Sequence, residues 1–191
     1  VVIGGCASTP EQEVSTPGEA PEEETYVEEN NAFLEVVERR NNLSITTSTP
    51  EYFEDTTGYL ARPEAPGEYP GVVMIHEWWG LNGNIKDMAD VLASEGYVVL
   101  AVDLYDGEIA TNASRAGELS GSINESRALE NMQAAVSFLE EQEGTQNIAS
   151  LGWCFGGDRS VQLSLSETRL DATLVYYGDV PTNASAVSRM D

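Results

Sequence analysis

The sequence predicts an α/β fold built on a mostly parallel sheet, and two observations carry that prediction. Near-continuous apolar runs at residues 71–76 and 97–102 are typical of strands that are buried on both faces. Residues 83–95 and 125–142 carry apolar side chains at helical spacing and lie between such runs. Because strands that alternate with helices form parallel sheets through right-handed crossovers, we expect helices to flank this sheet.

Local signals define the order of the elements. An extended segment at residues 58–61 ends at Pro63, and Gly96 ends the first helix. Ser122 and Glu125 have the spacing of a capping box for the helix over residues 125–142. Residues 32–47 fit either a short helix or an early strand, and the folded part is expected to begin near residue 50. The remaining predicted elements are a strand over residues 147–153, a helix over 157–166 and a strand over 172–177.

The charge of the chain is extreme and restricts the class of partner. Its 191 residues, enough for one domain with a single core, carry a formal net charge of −24, and Lys86 is the single lysine. Residues 57–191 alone hold 20 acidic and 7 basic side chains, so the acidity is not confined to the N-terminal segment. Such a surface suits a salt-adapted, halophilic protein, with an ordinary acidic extracellular protein as the alternative. Nucleic acid is not an expected partner because its phosphates would be repelled.

The N-terminal residues 1–6 resemble the end of a lipoprotein signal peptide. A short apolar run and small residues precede Cys6, which in such signals becomes the lipid-modified first residue of the mature protein. Residues 7–49 are expected to form an acidic tether rich in Glu, Pro, Thr and Ser. The resemblance implies an extracytoplasmic protein that is anchored to a membrane only through the lipid, with a sequence that begins inside its signal peptide. A chance cysteine in a polar tail is the alternative.

Residues 152–156, Gly-Trp-Cys-Phe-Gly, are the most informative stretch of the chain. They lie between a predicted strand and a predicted helix, which is the context of a nucleophile elbow, and Cys154 occupies the reactive position. Such a turn holds the nucleophile in a strained backbone conformation, and glycines two residues away on either side relieve the crowding. The alternative is a small buried cysteine in a tight strand-to-helix turn.

Five segments in the same order resemble the dienelactone hydrolase family of α/β hydrolases. The resemblance covers about residues 50–180. It implies an α/β-hydrolase fold, a parallel-rich sheet with flanking helices, here incomplete at its C-terminal end. The segments are Gly-Tyr-Leu-Ala-Arg-Pro at 58–63, His-Glu-Trp-Trp-Gly-Leu-Asn at 76–82, Gly-Tyr-Val-Val-Leu-Ala-Val-Asp-Leu-Tyr at 96–105, the cysteine elbow with Gly157, and Tyr-Tyr-Gly at 176–178.

The resemblance also implies roles for individual residues. Cys154 would be the nucleophile that attacks an ester or lactone carbonyl, at a helix N-terminus that favours the thiolate. Glu77 matches the family glutamate that contacts the resting cysteine and holds its thiol protonated until substrate displaces it. A solvated acid that caps the following helix is the alternative for Glu77. The backbone N–H groups of Trp78 and Phe155 would form the oxyanion hole.

His76 is the only histidine of the chain, yet it is not expected to act as the general base. In this fold the base follows the nucleophile along the chain, whereas His76 precedes Cys154. A partly buried, hydrogen-bonded histidine near the pocket is therefore the better interpretation. The family's triad aspartate and histidine are expected beyond Asp191, and without them the chain lacks the base that turnover needs.

The predicted function is hydrolysis of a small ester or lactone, of the carboxymethylenebutenolidase type, with no metal or organic cofactor. Trp79 and Tyr105 are candidate lining residues of the substrate pocket, or simply core aromatics. Arginines that could bind a substrate carboxylate are Arg115, Arg127 and Arg159. One alternative function is a non-catalytic surface lipoprotein that keeps the fold and a small-molecule cleft. A second is a flavodoxin-like binding domain in which Cys154 is buried and inert.

Overall fold

Strands and helices alternate along this chain as the apolar pattern predicts. The computed structural model describes residues 41–188. Its strands are β1 (Ile45–Ser48), β2 (Glu51–Phe53), β3 (Thr56–Thr57), β4 (Tyr59–Pro63), β5 (Tyr69–Ile75), β6 (Val98–Val102), β7 (Thr145–Trp153) and β8 (Leu170–Tyr176). Its helices are α1 (Gly83–Ser94), α2 (Ala113–Gly121), α3 (Glu125–Glu140), α4 (Phe155–Ser166) and α5 (Ala184–Val187).

Six of the strands form one mixed sheet in the order β1–β4–β6–β5–β7–β8, and β2 pairs with β3 separately. β5 is parallel to both β6 and β7, and β7 is parallel to β8. β4 runs antiparallel to β1 and to β6. The C-terminal ends of the four parallel strands therefore lie side by side at one end of the sheet, which we call the carboxyl edge. The predicted parallel-rich α/β sheet with flanking helices is confirmed.

The core lies on both faces of the sheet because successive side chains of a strand point to opposite faces. On one face, Val73 and Ile75 pack with the apolar stripe of α3, including Met132. On the other face, Val72 and Met74 pack against α1. The central strands are buried on both sides, which explains their continuous apolar runs. Within residues 41–188, no helix has both the length and the apolar character that crossing a membrane requires.

The sheet begins earlier in the chain than residue 50. Ile45–Ser48, which composition assigns to the tether, pairs antiparallel with β4, and Ile45 lies opposite Pro63. Three of the four β1 residues are exposed, so this edge strand lacks the apolar run that marks the inner strands. The sheet therefore starts a few residues before the predicted boundary between residues 49 and 50, partly within the segment for which an early strand was one of two alternatives. Cys6 and the tether up to residue 40 lie outside the described residues.

Two features next to α3 differ from what the sequence predicted. Helix α2 was not predicted, because Ala116 is its single buried side chain and glycine occupies two of its nine positions. The capping box is wrong as well. Asn124 caps α3, where its side-chain oxygen accepts the Arg127 N–H at 3.1 Å. Ser122 instead closes the C-terminus of α2.

Candidate active site

The carboxyl edge gathers the chemically active side chains of the described chain. Ile75 lies beside Val102 on one side and Gly152 on the other, and Trp153 lies beside Tyr176. The segments that follow these positions therefore leave the sheet next to one another. They carry His76, Glu77 and Trp78 after β5, Asp103 and Tyr105 after β6, Cys154 and Phe155 after β7, and Tyr177 after β8.

Cys154 occupies the sharp turn between β7 and α4. Its φ of 53° and ψ of −122° lie in a region that residues with a side chain rarely adopt, and its thiol is free and half-buried. The Cys154 N–H donates to the Tyr176 carbonyl at 3.0 Å. The Cys154 carbonyl accepts the backbone N–H of Asp158, in the first turn of α4, at 3.2 Å. Cys154 thus has the strained backbone geometry of a nucleophile elbow.

Two glycines allow this turn because neighbouring backbone leaves no room for a side chain. A Cβ on Gly152 would collide with the carbonyl oxygen of Gly156. A Cβ on Gly156 would collide with the carbonyl oxygens of Ile75 and His76. The start of α4 is therefore pressed against the end of β5, which brings the cysteine next to the segment that carries Glu77.

Glu77 bonds to a tyrosine rather than to the cysteine. Tyr177 Oη donates to Glu77 Oε1 at 2.7 Å, and among residues 41–188 the carboxylate makes no hydrogen bond to Cys154. Burial of the hydroxyl and its bond to Glu77 raise the pKa of Tyr177, so the phenol remains a donor at neutral pH. The contact between Glu77 and the resting cysteine that the resemblance implies is not made in this conformation.

The two predicted oxyanion donors lie on either side of the contact between β5 and α4. Phe155 is the first residue of α4, so its N–H has no acceptor within the helix. Trp78 follows Glu77, and its half-buried ring packs on the core and meets Trp79 edge to face at 5.2 Å between ring centroids. Within the described residues, neither N–H donates a hydrogen bond to a backbone carbonyl in a turn, loop or cap. Both donors are therefore free to bind an oxygen that becomes negative.

His76 is a buried structural histidine rather than a base. Its Nε2 accepts the Leu104 N–H at 3.2 Å, which leaves Nδ1 to donate to the Glu77 carbonyl at 2.6 Å. A neutral imidazole uses one donor and one acceptor, so both ring nitrogens are occupied. Desolvation lowers the pKa of His76, which keeps the ring neutral. The ring is hydrogen-bonded as expected, but it is fully rather than partly buried.

Tyr105 is a buried aromatic on the loop after β6. The Asp103 carboxylate fixes this loop by accepting the N–H groups of Tyr105 at 2.8 Å and Gly107 at 2.6 Å. The Tyr105 ring meets His76 edge on, with 4.7 Å between ring centroids, and burial raises the pKa of Tyr105 to about 12. Tyr105 also lines a cavity of about 170 Å³ between its loop and helices α2 and α3. Neither Trp79 nor Cys154 lines this cavity.

The three arginines considered for substrate binding are already paired with carboxylates. Arg159 lies beside the elbow, with its guanidinium carbon 4.8 Å from the centroid of the Phe155 ring. Desolvation lowers the pKa of this largely buried group. Each of the three guanidinium groups has at least one carboxylate partner within the protein. The pairs are Arg115 with Glu108 and Glu118, Arg127 with Glu54 and Asp106, and Arg159 with Glu125.

Tyr177 is the site residue to which the sequence assigned no role. It is 100 residues away from Glu77 along the chain, so their contact emerges only when the strand order is known. The available signal was its position just after a predicted strand, where carboxyl-edge side chains gather. In the part of the chain that the structure describes, no group of three or more His, Cys, Asp and Glu side chains is placed to hold a metal ion.

Fold and site together define an α/β hydrolase. A parallel-rich sheet carries at its carboxyl edge a strained turn with the geometry of a nucleophile elbow, and a helix begins directly at that turn. The chain belongs to the dienelactone hydrolase family, whose sequence model matches residues 56–190. That match includes Glu77, Cys154 and Tyr177.

Relatives and solved structures are similar to this chain over part of their length. Protein usf from Aquifex pyrophilus is 39% identical over 132 residues, which cover 63% of this chain and 55% of the relative. A protein named "Putative carboxymethylenebutenolidase" from Aquifex aeolicus is 38% identical over 130 residues, with coverage of 63% and 55%. A dienelactone hydrolase-like promiscuous phosphotriesterase from metagenomic libraries aligns with a TM-score of 0.66 at 27% identity, over 78% of this chain and 66% of that one. The chain thus spans about half the length of the curated relatives it matches.

Proposed function

We propose that this protein hydrolyses a small ester or lactone through the thiol of Cys154. The observation that carries the proposal is the position of Cys154 in a strained turn at the carboxyl edge, at the N-terminus of α4 and beside the Glu77 segment. Membership of the dienelactone hydrolase family supports hydrolase chemistry. The name of the Aquifex aeolicus relative favours a lactone as the substrate.

The chemistry begins with attack of the Cys154 sulfur, as thiolate, on the carbonyl carbon. A carbon–sulfur bond forms while an electron pair moves to the carbonyl oxygen, and the N–H groups of Trp78 and Phe155 donate to that oxygen. The carbon–oxygen bond of the ester then breaks. The leaving alkoxide or enolate takes a proton from solvent, which balances the proton that the thiol released on ionisation, and the acyl group remains on sulfur as a thioester. Water attacks the thioester and releases a carboxylic acid and the thiol.

Turnover requires a general base that His76 does not provide. Its ring is buried and both of its nitrogens are hydrogen-bonded within the protein. In this proposal the base of thioester hydrolysis is therefore a group other than His76. Acylation of Cys154, which precedes the need for that base in thioester hydrolysis, is the step to test on this chain.

The test is the reaction of the purified chain with p-nitrophenyl acetate, followed by p-nitrophenolate release and by intact mass. The chain has two cysteines, Cys6 and Cys154, so Cys6→Ala is a matched control for Cys154→Ala. We expect a stoichiometric burst and the gain of one acetyl group in the Cys6→Ala protein, and neither in Cys154→Ala. A burst of equal size in Cys154→Ala would contradict the proposal.

A further inference from the structure

The hydrogen bond between Tyr177 and Glu77 spans the position of the proposed nucleophile. β7, which ends next to Cys154, lies between β5 and β8, which precede Glu77 and Tyr177. Neighbouring strands are about 4.8 Å apart, so Glu77 and Tyr177 leave the sheet about 10 Å apart with Cys154 between them. Their 2.7 Å hydrogen bond therefore bridges the end of β7.

The backbone holds Tyr177 in the place from which it reaches Glu77. Its φ of 43° is unusual for a bulky residue. On its N-terminal side, the Tyr176 carbonyl accepts the Cys154 N–H. On its C-terminal side, the Asp179 N–H donates to Asp158 Oδ1 at 2.6 Å. The residues on both sides of Tyr177 are thus fastened to the elbow and to α4, and strain of this kind concentrates at functional sites.

Packing does not explain the position of the Tyr177 ring. The residue is 71% exposed, so it contributes little to the core. Although most of the ring is exposed, desolvation of the hydroxyl and its bond to Glu77 raise the pKa of Tyr177. The phenol therefore donates to the carboxylate across the neutral range.

The Glu77 carboxylate has two competing partners at this edge. If it turned towards Cys154, it would accept a hydrogen bond from the thiol, and its negative charge would disfavour the thiolate. Bonded to Tyr177, it already has a donor that is not the thiol. The phenol and the thiol therefore compete for the same carboxylate.

We propose that Tyr177 is a positioning residue that holds Glu77 away from the Cys154 thiol and so keeps the thiol reactive without substrate. This inference rests on the proposed function because it concerns the reactivity of the same cysteine. Removal of the phenol hydroxyl then lets Glu77 turn to Cys154, and ionisation of the thiol moves to higher pH.

The experiment measures the rate of alkylation by iodoacetamide against pH in the Cys6→Ala protein, in which Cys154 is the single thiol. With Tyr177→Phe added, we expect the midpoint of the profile to rise by about one pH unit and the rate near pH 7 to fall about tenfold. Tyr176→Phe is the matched control, since the Tyr176 ring stacks on Trp153, and it should keep the parent profile. Phe keeps the exposed ring, and a thermal unfolding scan checks that each variant is folded.

A second arm places Tyr177→Phe in the Glu77→Gln protein. There it should change the alkylation rate by less than about twofold, because the carboxylate that it controls is gone. A Tyr177→Phe profile equal to that of the parent protein, or an equal fall in the Glu77→Gln background, overturns the inference. Failure of Cys154 to take up an acyl group from p-nitrophenyl acetate in the parent protein would instead contradict the proposed function. Normal acylation with an unchanged Tyr177→Phe profile removes the Tyr177 inference alone.

Discussion

At the scale of single residues, the buried imidazole of His76 links stability to pH. The folded protein holds this ring neutral with a lowered pKa, whereas an exposed histidine in the unfolded chain takes up a proton near pH 6.5. Below that pH the unfolded state therefore binds more protons than the folded state. The stabilising contribution of the neutral ring is fully present above about pH 6.5 and is lost as the pH falls below it.

We expect the free energy of unfolding to drop by about 1 kcal/mol between about pH 7.5 and pH 5.5. Chemical denaturation at the two pH values measures the drop. Because the chain has one histidine, its ring C–H signal in an NMR spectrum reports on His76 alone. That signal should stay constant over the same range in the folded protein. A folded-state titration centred near pH 6.5 would show that the ring is accessible and the account of His76 mistaken.

The sequence predicts some site residues better than others. The well-predicted residues are those whose roles are visible in the local sequence around them. The glycine-flanked position of Cys154 requires a special backbone conformation, and the structure has it at φ 53°. Glu77 lies on the segment beside the elbow, yet it bonds to Tyr177, a partner to which the sequence assigned no role. That partnership depends on β7 lying between β5 and β8, which is a property of the sheet and not of any local segment.

At the scale of elements, the contact between α4 and β5 determines whether the elbow can form. Gly156 lies against the carbonyl oxygens of Ile75 and His76, which belong to the backbone and cannot rotate away. In Gly156→Ala the helix and the strand must separate, so we expect a loss of more than about 3 kcal/mol in the free energy of unfolding, measured by chemical denaturation.

Gly117 provides the matched control for this prediction. It lies in α2, and an added Cβ there would meet nothing within 4 Å. Gly117→Ala should leave stability unchanged or raise it by up to about 1 kcal/mol, because alanine favours the helix. Equal stability of the Gly156→Ala and Gly117→Ala proteins would be incompatible with the packing described for the elbow.

Two elements that the sequence did not assign, β1 and α2, share a physical cause. β5, β6 and α3 bury continuous or periodic apolar side chains, so their composition reveals them. β1 and α2 bury little, and their positions depend on backbone pairing with β4 and on the link to α3. Amphipathic patterning therefore detects core elements and misses those held at the periphery.

At the scale of the whole molecule, excess negative charge is the dominant electrostatic feature. The formal net charge is −24, and arginines such as Arg115, Arg127 and Arg169 are each already paired with acidic side chains. The remaining carboxylates repel one another. Raising the ionic strength from about 0.1 M to 1 M shortens the Debye length from about 10 Å to 3 Å, which screens that repulsion.

We expect thermal and chemical stability to rise over this range of sodium chloride concentration. Salt also weakens the exposed ion pairs, but each of these contributes only about 0–1 kcal/mol, so the relief of repulsion should be larger. The melting temperature measured at several salt concentrations tests the balance. A flat or falling melting temperature would remove the case for salt adaptation.

The central claim, that Cys154 is the nucleophile of a hydrolase, is tested most directly by locating the acyl group. The protein is treated with a p-nitrophenyl ester, quenched in acid during the burst and digested, and its peptides are mapped by mass spectrometry. The account predicts one acyl group, on the peptide that contains Cys154. An acyl group on Cys6, on a serine or on no residue at all would contradict it.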